Sequence, residues 1–274
     1  MIRIMVDSAS DSRVNEFDFF IPITVVIDGK EYRDGIELDR NTFYDLLLKS
    51  DEFPRTSQPS PDTFVEIFEK VKAGGDELIY FALSSALSGT YQSANIAKNI
   101  VGYDKIYIVD TKFLTHMVGI LGQFAKKLIT EGSDAEEIVE KCLILKDKIK
   151  VFAGVDTLEY LQKGGRLGKA STLLGTIANI KPIVTVSPKG EVDAVGKALG
   201  FQRAVQTVVD KVNSFEIDPD FPIYSLYTYG EENCIKLEEK LTAAGHTVSE
   251  RRQIGSTIGT HVGPGVYGVI FVTK

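Results

Sequence analysis

Two hydrophobic periodicities alternate along the chain, a period of two over short runs and a period near 3.6 over longer ones. Residues 2–6 form a short apolar run that ends at Asp7, which predicts a first strand. Residues 20–27 predict a second, followed by Asp28-Gly29 as a hairpin turn. Asp39 can cap the amphipathic stretch 40–49. Ser60-Pro61 predicts a helix start, and Phe64, Ile67, Phe68 and Val71 then recur at helical spacing until Gly74-Gly75. Residues 78–83 have the continuous apolar character of a buried strand. A helix near 91–100, a strand at 106–109 and helices at 114–129 and 135–148 follow. Strands alternating with helices imply a parallel sheet.

A charged stretch at 146–150 precedes a further strand at 151–155, and the pattern restarts there. Helices are expected near 158–162, 173–179, 204–215 and 232–243. Strands are expected near 182–187, 192–195, 224–229, 248–253 and 268–273. Pro188-Lys189-Gly190 reads as a hairpin turn, so this second sheet is mixed. The expected fold class is α/β with two α/β domains, residues 1–150 around a parallel sheet and residues 151–274 around a mixed one. A length of 274 residues suits two domains.

Composition narrows the function. The chain has 38 acidic and 31 basic residues, a net charge of -7, which argues against nucleic-acid binding. The first residues lack the apolar core of a signal peptide, and no apolar stretch approaches the ~18 residues of a membrane span. Cys142 and Cys234 lie far apart in helix-like segments, so no disulfide framework is expected and a cytoplasmic location fits. His116, His246 and His261 are scattered, without metal-ligand spacing.

Three loops could carry chemistry. Arg55-Thr56-Ser57-Gln58-Pro59-Ser60-Pro61 sets hydroxyls before a helix start, where turn and cap roles compete with ligand binding. Ser84-Ser85-Ala86-Leu87-Ser88-Gly89-Thr90 follows a buried strand and precedes a helix, the place where open α/β sheets bind ligands. It is neither a Walker A loop nor a nucleophile elbow. The run from Gly255 to Gly265 brackets His261 with glycines, which suits close backbone approach. Lys163-Gly164-Gly165-Arg166 is a weaker signal, an anion ligand or a salt bridge.

Taken in order, these segments resemble the DegV family. The matching stretches are Val6-Asp7-Ser8, Thr56-Ser57-Gln58-Pro59-Ser60, Ser84-Ser85-x-Leu87-Ser88-Gly89-Thr90-Tyr91-Gln92-Ser93-Ala94, Asp110-Thr111, Gly164-Gly165-Arg166, Ile180-Lys181-Pro182-Ile183 and His261-Val262-Gly263-Pro264-Gly265. The resemblance implies a lipid-binding protein with a palmitate-like fatty acid between its two domains and no cofactor or catalysis of its own. The acyl chain would occupy an apolar tunnel, with the carboxylate at Thr56, Ser57, Ser88, Gly89 and His261. It also implies a partner, the catalytic subunit of a fatty acid kinase, for which the bound acid becomes an acyl phosphate in phospholipid metabolism. Transient membrane contact would accompany such a role. One departure stands out: Leu199 occupies the place of an arginine that several members carry, with Lys197 and Arg203 nearby. The rival reading is a serine hydrolase acting on acyl esters through Ser88 and His261, with Asp7 or Asp110 as orienter.

Overall fold

The structure, a computed structural model, describes residues 1–168, 170 and 179–274. The first half of the chain runs β1 (Ile2–Asp7), a 3-10 turn (Ser8–Ser10), β2 (Phe19–Ile21), β3 (Thr24–Ile27), β4 (Lys30–Arg33), α1 (Arg40–Leu47) and β5 (Arg55–Ser57). It continues with α2 (Pro61–Ala73), β6 (Glu77–Ala82), α3 (Thr90–Val101), β7 (Ile106–Asp110), α4 (His116–Thr130) and α5 (Ala135–Lys148). The second half contains β8 (Ile149–Gly154), α6 (Glu159–Lys163), β9 (Ile180–Val186), β10 (Val192–Leu199), α7 (Phe201–Asn213) and β11 (Ile223–Tyr227). It closes with α8 (Glu232–Ala243), β12 (Val248–Gln253), α9 (Ser256–Val262) and β13 (Tyr267–Val272).

The fold is α/β, and the strands among the described residues form three sheets. The first is wholly parallel in the order β2-β1-β6-β7. The second is mixed, β10-β9-β8-β13-β11-β12, with only β11 and β12 parallel. The third is a small antiparallel sheet, β4-β3-β5.

Alternation along the strands builds the layers. In β1, Ile4 and Val6 face one way and Met5 the other; in β6, Ile79 and Phe81 oppose Leu78 and Tyr80. One face meets α2 and α3 through Phe64, Phe68, Ala94 and Ala97. The other meets α4 and α5 through Met117, Leu121, Ile138 and Cys142, which share a single cluster with Val151, Ala153, Ile270 and Val272 of the mixed sheet. The far face of that sheet, with Phe152, Val269 and Phe271, is covered by α7 and α8. Thus α4 and α5 form a middle layer, and both sheets are buried on two faces, as their near-continuous apolar runs require. The small sheet and α1 make their own cluster from Val25, Ile27, Phe43, Tyr44 and Leu47.

Several expectations change. Pro22 divides the stretch 20–27 into β2 and β3, which join different sheets, because proline cannot donate to a ladder. The hairpin turn expected at Asp28-Gly29 is present and pairs β3 with β4, whereas β5 has no counterpart in the expected pattern. The glycine-rich run before the last strand contains a helix, α9. Ser60 occupies the N-cap position of α2 without a capping bond; its hydroxyl meets Thr63 Oγ1 at 3.2 Å. The helix expected at 173–179 lies, except for Asn179, outside the described residues.

The shared middle layer predicts cooperative behaviour. Leu121 on α4 is 1% exposed, so Leu121→Ala should cost about 2–5 kcal/mol. Hydrogen exchange should show lost protection in β1 and β6 and also in β8 and β13. Loss confined to one sheet would contradict a common layer.

Candidate functional site

Three segments, distant in sequence, are brought to one place by local bonding. Thr56 lies in β5, opposite Val25 of β3. Strand alternation turns Thr56 inward and leaves Ser57 exposed on the other side. The loop after β6 is tied down at both ends. Asp7 Oδ2 accepts the Leu83 N–H and the Tyr80 hydroxyl, both at 2.8 Å, and Asp110 Oδ1 accepts the Ser85 N–H at 3.1 Å. The buried Ser84 hydroxyl reaches across to the Gly190 carbonyl at 2.8 Å, joining this loop to the β9–β10 turn. Ser88 then receives the Thr90 N–H at 3.3 Å and pairs with Thr90 Oγ1 at 2.8 Å.

The third segment is α9. Its glycines admit neighbours: a Cβ on Gly259 would stand 2.6 Å from the Tyr44 hydroxyl, and one on Gly263 would stand 2.3 Å from the Tyr160 ring. With those contacts the helix can lie close against α1 and α6. His261 then faces β5, and its Nε2 lies 2.9 Å from Thr56 Oγ1.

A cavity of about 110 Å³ lies between these segments. Its polar lining is Thr56, Gln58, Ser88, Arg166, Thr257 and His261. The remainder is Ile23, Leu83, Leu87, Leu114, Leu161, Val192, Ile258 and Val262. A wider, open hollow of about 590 Å³ shares Thr56, Arg166 and His261 and adds Arg55, Lys163, Asp51 and Glu52. The two hollows therefore meet at Thr56, Arg166 and His261, the first with mostly apolar walls and the second with mostly charged ones.

The electrostatics follow from burial. Arg166 donates Nε–H to the Leu87 carbonyl at 3.1 Å and also bonds the Gly164 carbonyl, which fixes its guanidinium beside the cavity. Burial, and then the Arg166 charge, push His261 down to about 4, so its ring is neutral at pH 7. Its Nδ1 is enclosed and has no hydrogen-bond partner among the described residues. Burial also raises Asp7 to about 6 against the bonds from Leu83, Tyr80 and Ala9.

Of the residues singled out in the sequence, Thr56, Ser88 and His261 meet on this cavity and Ser57 and Gly89 do not. Gly89 acts by its absence of side chain: a Cβ there would fall 2.0 Å from Gln58 Oε1. Gln58, whose Nε2 donates to Ser93 Oγ at 3.0 Å, thereby bridges the Thr56 strand and the start of α3. Gln58 and Thr257, which carry no local sequence signal for a site, also line the cavity, as does Arg166. No hydrogen bond joins Ser88 to His261, or His261 to Asp7 or Asp110, among the described residues. His261 Nε2 contacts Thr56, Ser88 contacts Thr90, and Asp7 and Asp110 are engaged with backbone N–H groups of the β6 loop. Among the described residues no cluster of His, Cys, Asp and Glu could hold a metal.

The depressed His261 value predicts a pH dependence. Its folded value of about 4 lies below the ordinary 6.5, so the unfolded chain binds the proton first. The histidine's contribution is therefore complete above pH 6.5 and is lost as pH falls towards 4, by at most ~1.4 kcal/mol per pH unit. Ring-nitrogen NMR should find His261 neutral at pH 6, and His261→Gln should flatten the acid side of the stability profile. A midpoint near 6.5 would refute the enclosed environment.

The model of the DegV family, described as uncharacterised protein, DegV family, matches residues 1–274. A DegV domain-containing protein of Caldanaerobacter subterraneus is 35% identical over 279 residues, covering 100% of this chain and 99% of its own. Among solved structures, a DegV family protein from Thermus thermophilus, described as binding fatty acid, superposes with a TM-score of 0.90 at 30% identity, covering 100% of this chain and 99% of the other. DegV of Bacillus subtilis, described as a fatty acid binding protein, gives 0.85 at 28% identity over 100% and 99%. Matched along its whole length in sequence and in fold, the chain belongs to the DegV family.

Proposed function

We propose that this protein binds a long-chain fatty acid, with the carboxylate at Thr56, Ser88 and His261 beside Arg166 and the acyl chain directed into the apolar interior. The observation that carries the reading is a single cavity whose walls combine hydroxyls and a cation with aliphatic side chains. The fatty-acid-binding relatives of similar fold support it. Each buried methylene contributes ~0.8 kcal/mol, so a C16 chain supplies a large gross term. A carboxylate is costly to bury alone, and charge-assisted bonds from hydroxyls and a guanidinium offset that cost. Gly89 takes part by making room for Gln58, while Ser57 points away to solvent.

In this reading residues 1–150 and 151–274 are two domains with the lipid in their seam, and the protein is a cytoplasmic carrier without catalysis of its own. It would present the acid to a separate fatty acid kinase subunit and draw it from membranes by transient contact. The charged hollow that meets this cavity, with Arg55, Lys163 and Arg166, gives a phosphoryl group room to approach. Leu199 is 54% exposed at the end of β10, so a partner that reads an arginine there in other members would meet an apolar side chain here. No helix among the described residues is long and apolar enough to cross a membrane.

Protein purified from a bacterial host should carry one fatty acid per chain by native mass spectrometry, and delipidated protein should take up palmitate or oleate. A bare polypeptide mass together with no uptake would end the reading. Ser88→Ala and Thr56→Val should each remove a bond worth roughly 1.5–3 kcal/mol, a tenfold to hundredfold loss of fatty-acid affinity. A fatty alcohol of equal length should be hardly affected. Equal losses for acid and alcohol would mean that these residues shape the tunnel instead of holding the head group.

A further inference from the structure

We infer that Asp34 is a positioning residue for this site, fixing α9 through Thr257 and so setting where the His261 ring stands. The inference rests on the fatty-acid reading above. Thr257 and His261 are four residues apart on one helix, hence on one face, and both line the cavity. Asp34, in the turn after β4, is 3% exposed. One of its oxygens, Oδ2, accepts both the Thr257 N–H at 3.0 Å and the Thr257 hydroxyl at 2.5 Å.

The direction of this bonding is determined. The Thr257 hydroxyl donates to Asp34 Oδ2, so its one proton is spent there. Its oxygen, 3.0 Å from Ser8 Oγ, must then accept the Ser8 proton. Ser8 Oγ in turn accepts the Ile23 N–H at 3.0 Å. Donation therefore runs Ile23 to Ser8 to Thr257 to Asp34 and ends on a buried carboxylate. This single chain joins the 3-10 turn after β1, the entry to β3, the turn after β4 and the first turn of α9. A second anchor stands apart from it: Asp11 Oδ1 accepts the Gly255 N–H at 2.7 Å. With that anchor kept, weakening Asp34 should release the Thr257 side of α9 without detaching the helix.

The test uses the full chain and four proteins: wild type, Asp34→Asn, Thr257→Val and Thr257→Ser. Palmitate and hexadecanol affinities are read by competition, and His261 titration by ring NMR without ligand. Asp34→Asn and Thr257→Val should weaken palmitate binding about five- to tenfold and leave hexadecanol nearly unchanged. Both should raise the His261 midpoint from about 4 towards its ordinary value, as the ring gains water. Thr257→Ser keeps the hydroxyl and should behave like wild type. Parallel weakening of acid and alcohol, an unmoved His261 midpoint, or a Thr257→Ser protein as impaired as Thr257→Val would each overturn the inference. If wild type takes up no fatty acid, the reading of the site fails instead, and the ligand-free His261 midpoint still decides the role of Asp34.

Discussion

Between the two large sheets lies a buried apolar layer, and most polar groups at its edge are held by partners within the chain, because an unpaired buried group is costly. That constraint shapes the turns at the sheet edge. Asp7 closes the parallel sheet by accepting Ala9 N–H, Leu83 N–H and the Tyr80 hydroxyl. Thr111 returns its hydroxyl to the Ala82 carbonyl at 2.7 Å, and Ser84 crosses to Gly190. Once these bonds are made, the loop from Ser84 to Ser88 has little freedom, and the hydroxyl of Ser88 is delivered beside Thr56 and His261. The cavity is thus a product of how the seam satisfies its own backbone.

Much of the fold was legible because burial on two faces leaves a strong sequence signal. The strands β1 and β6 are nearly unbroken apolar runs, and α5 and α8 keep the bounds their periodicity gives, Ala135–Lys148 and Glu232–Ala243. Beyond the Asp28-Gly29 hairpin turn, the small sheet left little signal, for the opposite reason. Lys30–Arg33 is polar, and Arg55–Ser57 spans only three residues, too short for alternation to register. The helix α9 was obscured by glycine, a poor helix former. Yet Gly255, Gly259 and Gly263 are spaced by four, the period of one helix face. Each meets a different neighbour, Asp11, Tyr44 and Tyr160. That spacing was the available clue, and it also implies that Thr257 and His261 share another face.

The candidate site was partly legible through hydroxyls beside turns. What the sequence did not carry is which of them face inward. Thr56 and Ser57 are adjacent and chemically alike, and only pairing with β3 decides that Thr56 is the lining residue. Arg166 was equally ambiguous, because a salt bridge or an anion ligand fits the same local sequence. Its bonds to Leu87 and Gly164 carbonyls, and its effect on His261, depend on segments remote in the chain.

The proton inventory explains why such a seam would use hydroxyls. Burial already raises Asp7 to about 6 and Asp11 to about 7, so a further carboxylate entering this region would meet the same penalty. A second buried cation would carry its own desolvation cost. Neutral donors avoid it. The His261 ring is neutral and has one N–H. With that proton on Nε2, it donates to Thr56 Oγ1, and the Thr56 hydroxyl proton is left to point into the cavity. With the proton on Nδ1, an enclosed donor would lack an acceptor among the described residues, the costlier arrangement. Ser88 follows the same logic. Its oxygen accepts the Thr90 N–H and, when Thr90 also donates its hydroxyl, the Ser88 proton is likewise directed outward. On the proposed reading, and with the protons so placed, the Thr56 and Ser88 hydroxyls are the donors available to a carboxylate beside Arg166, and a single cation serves the site.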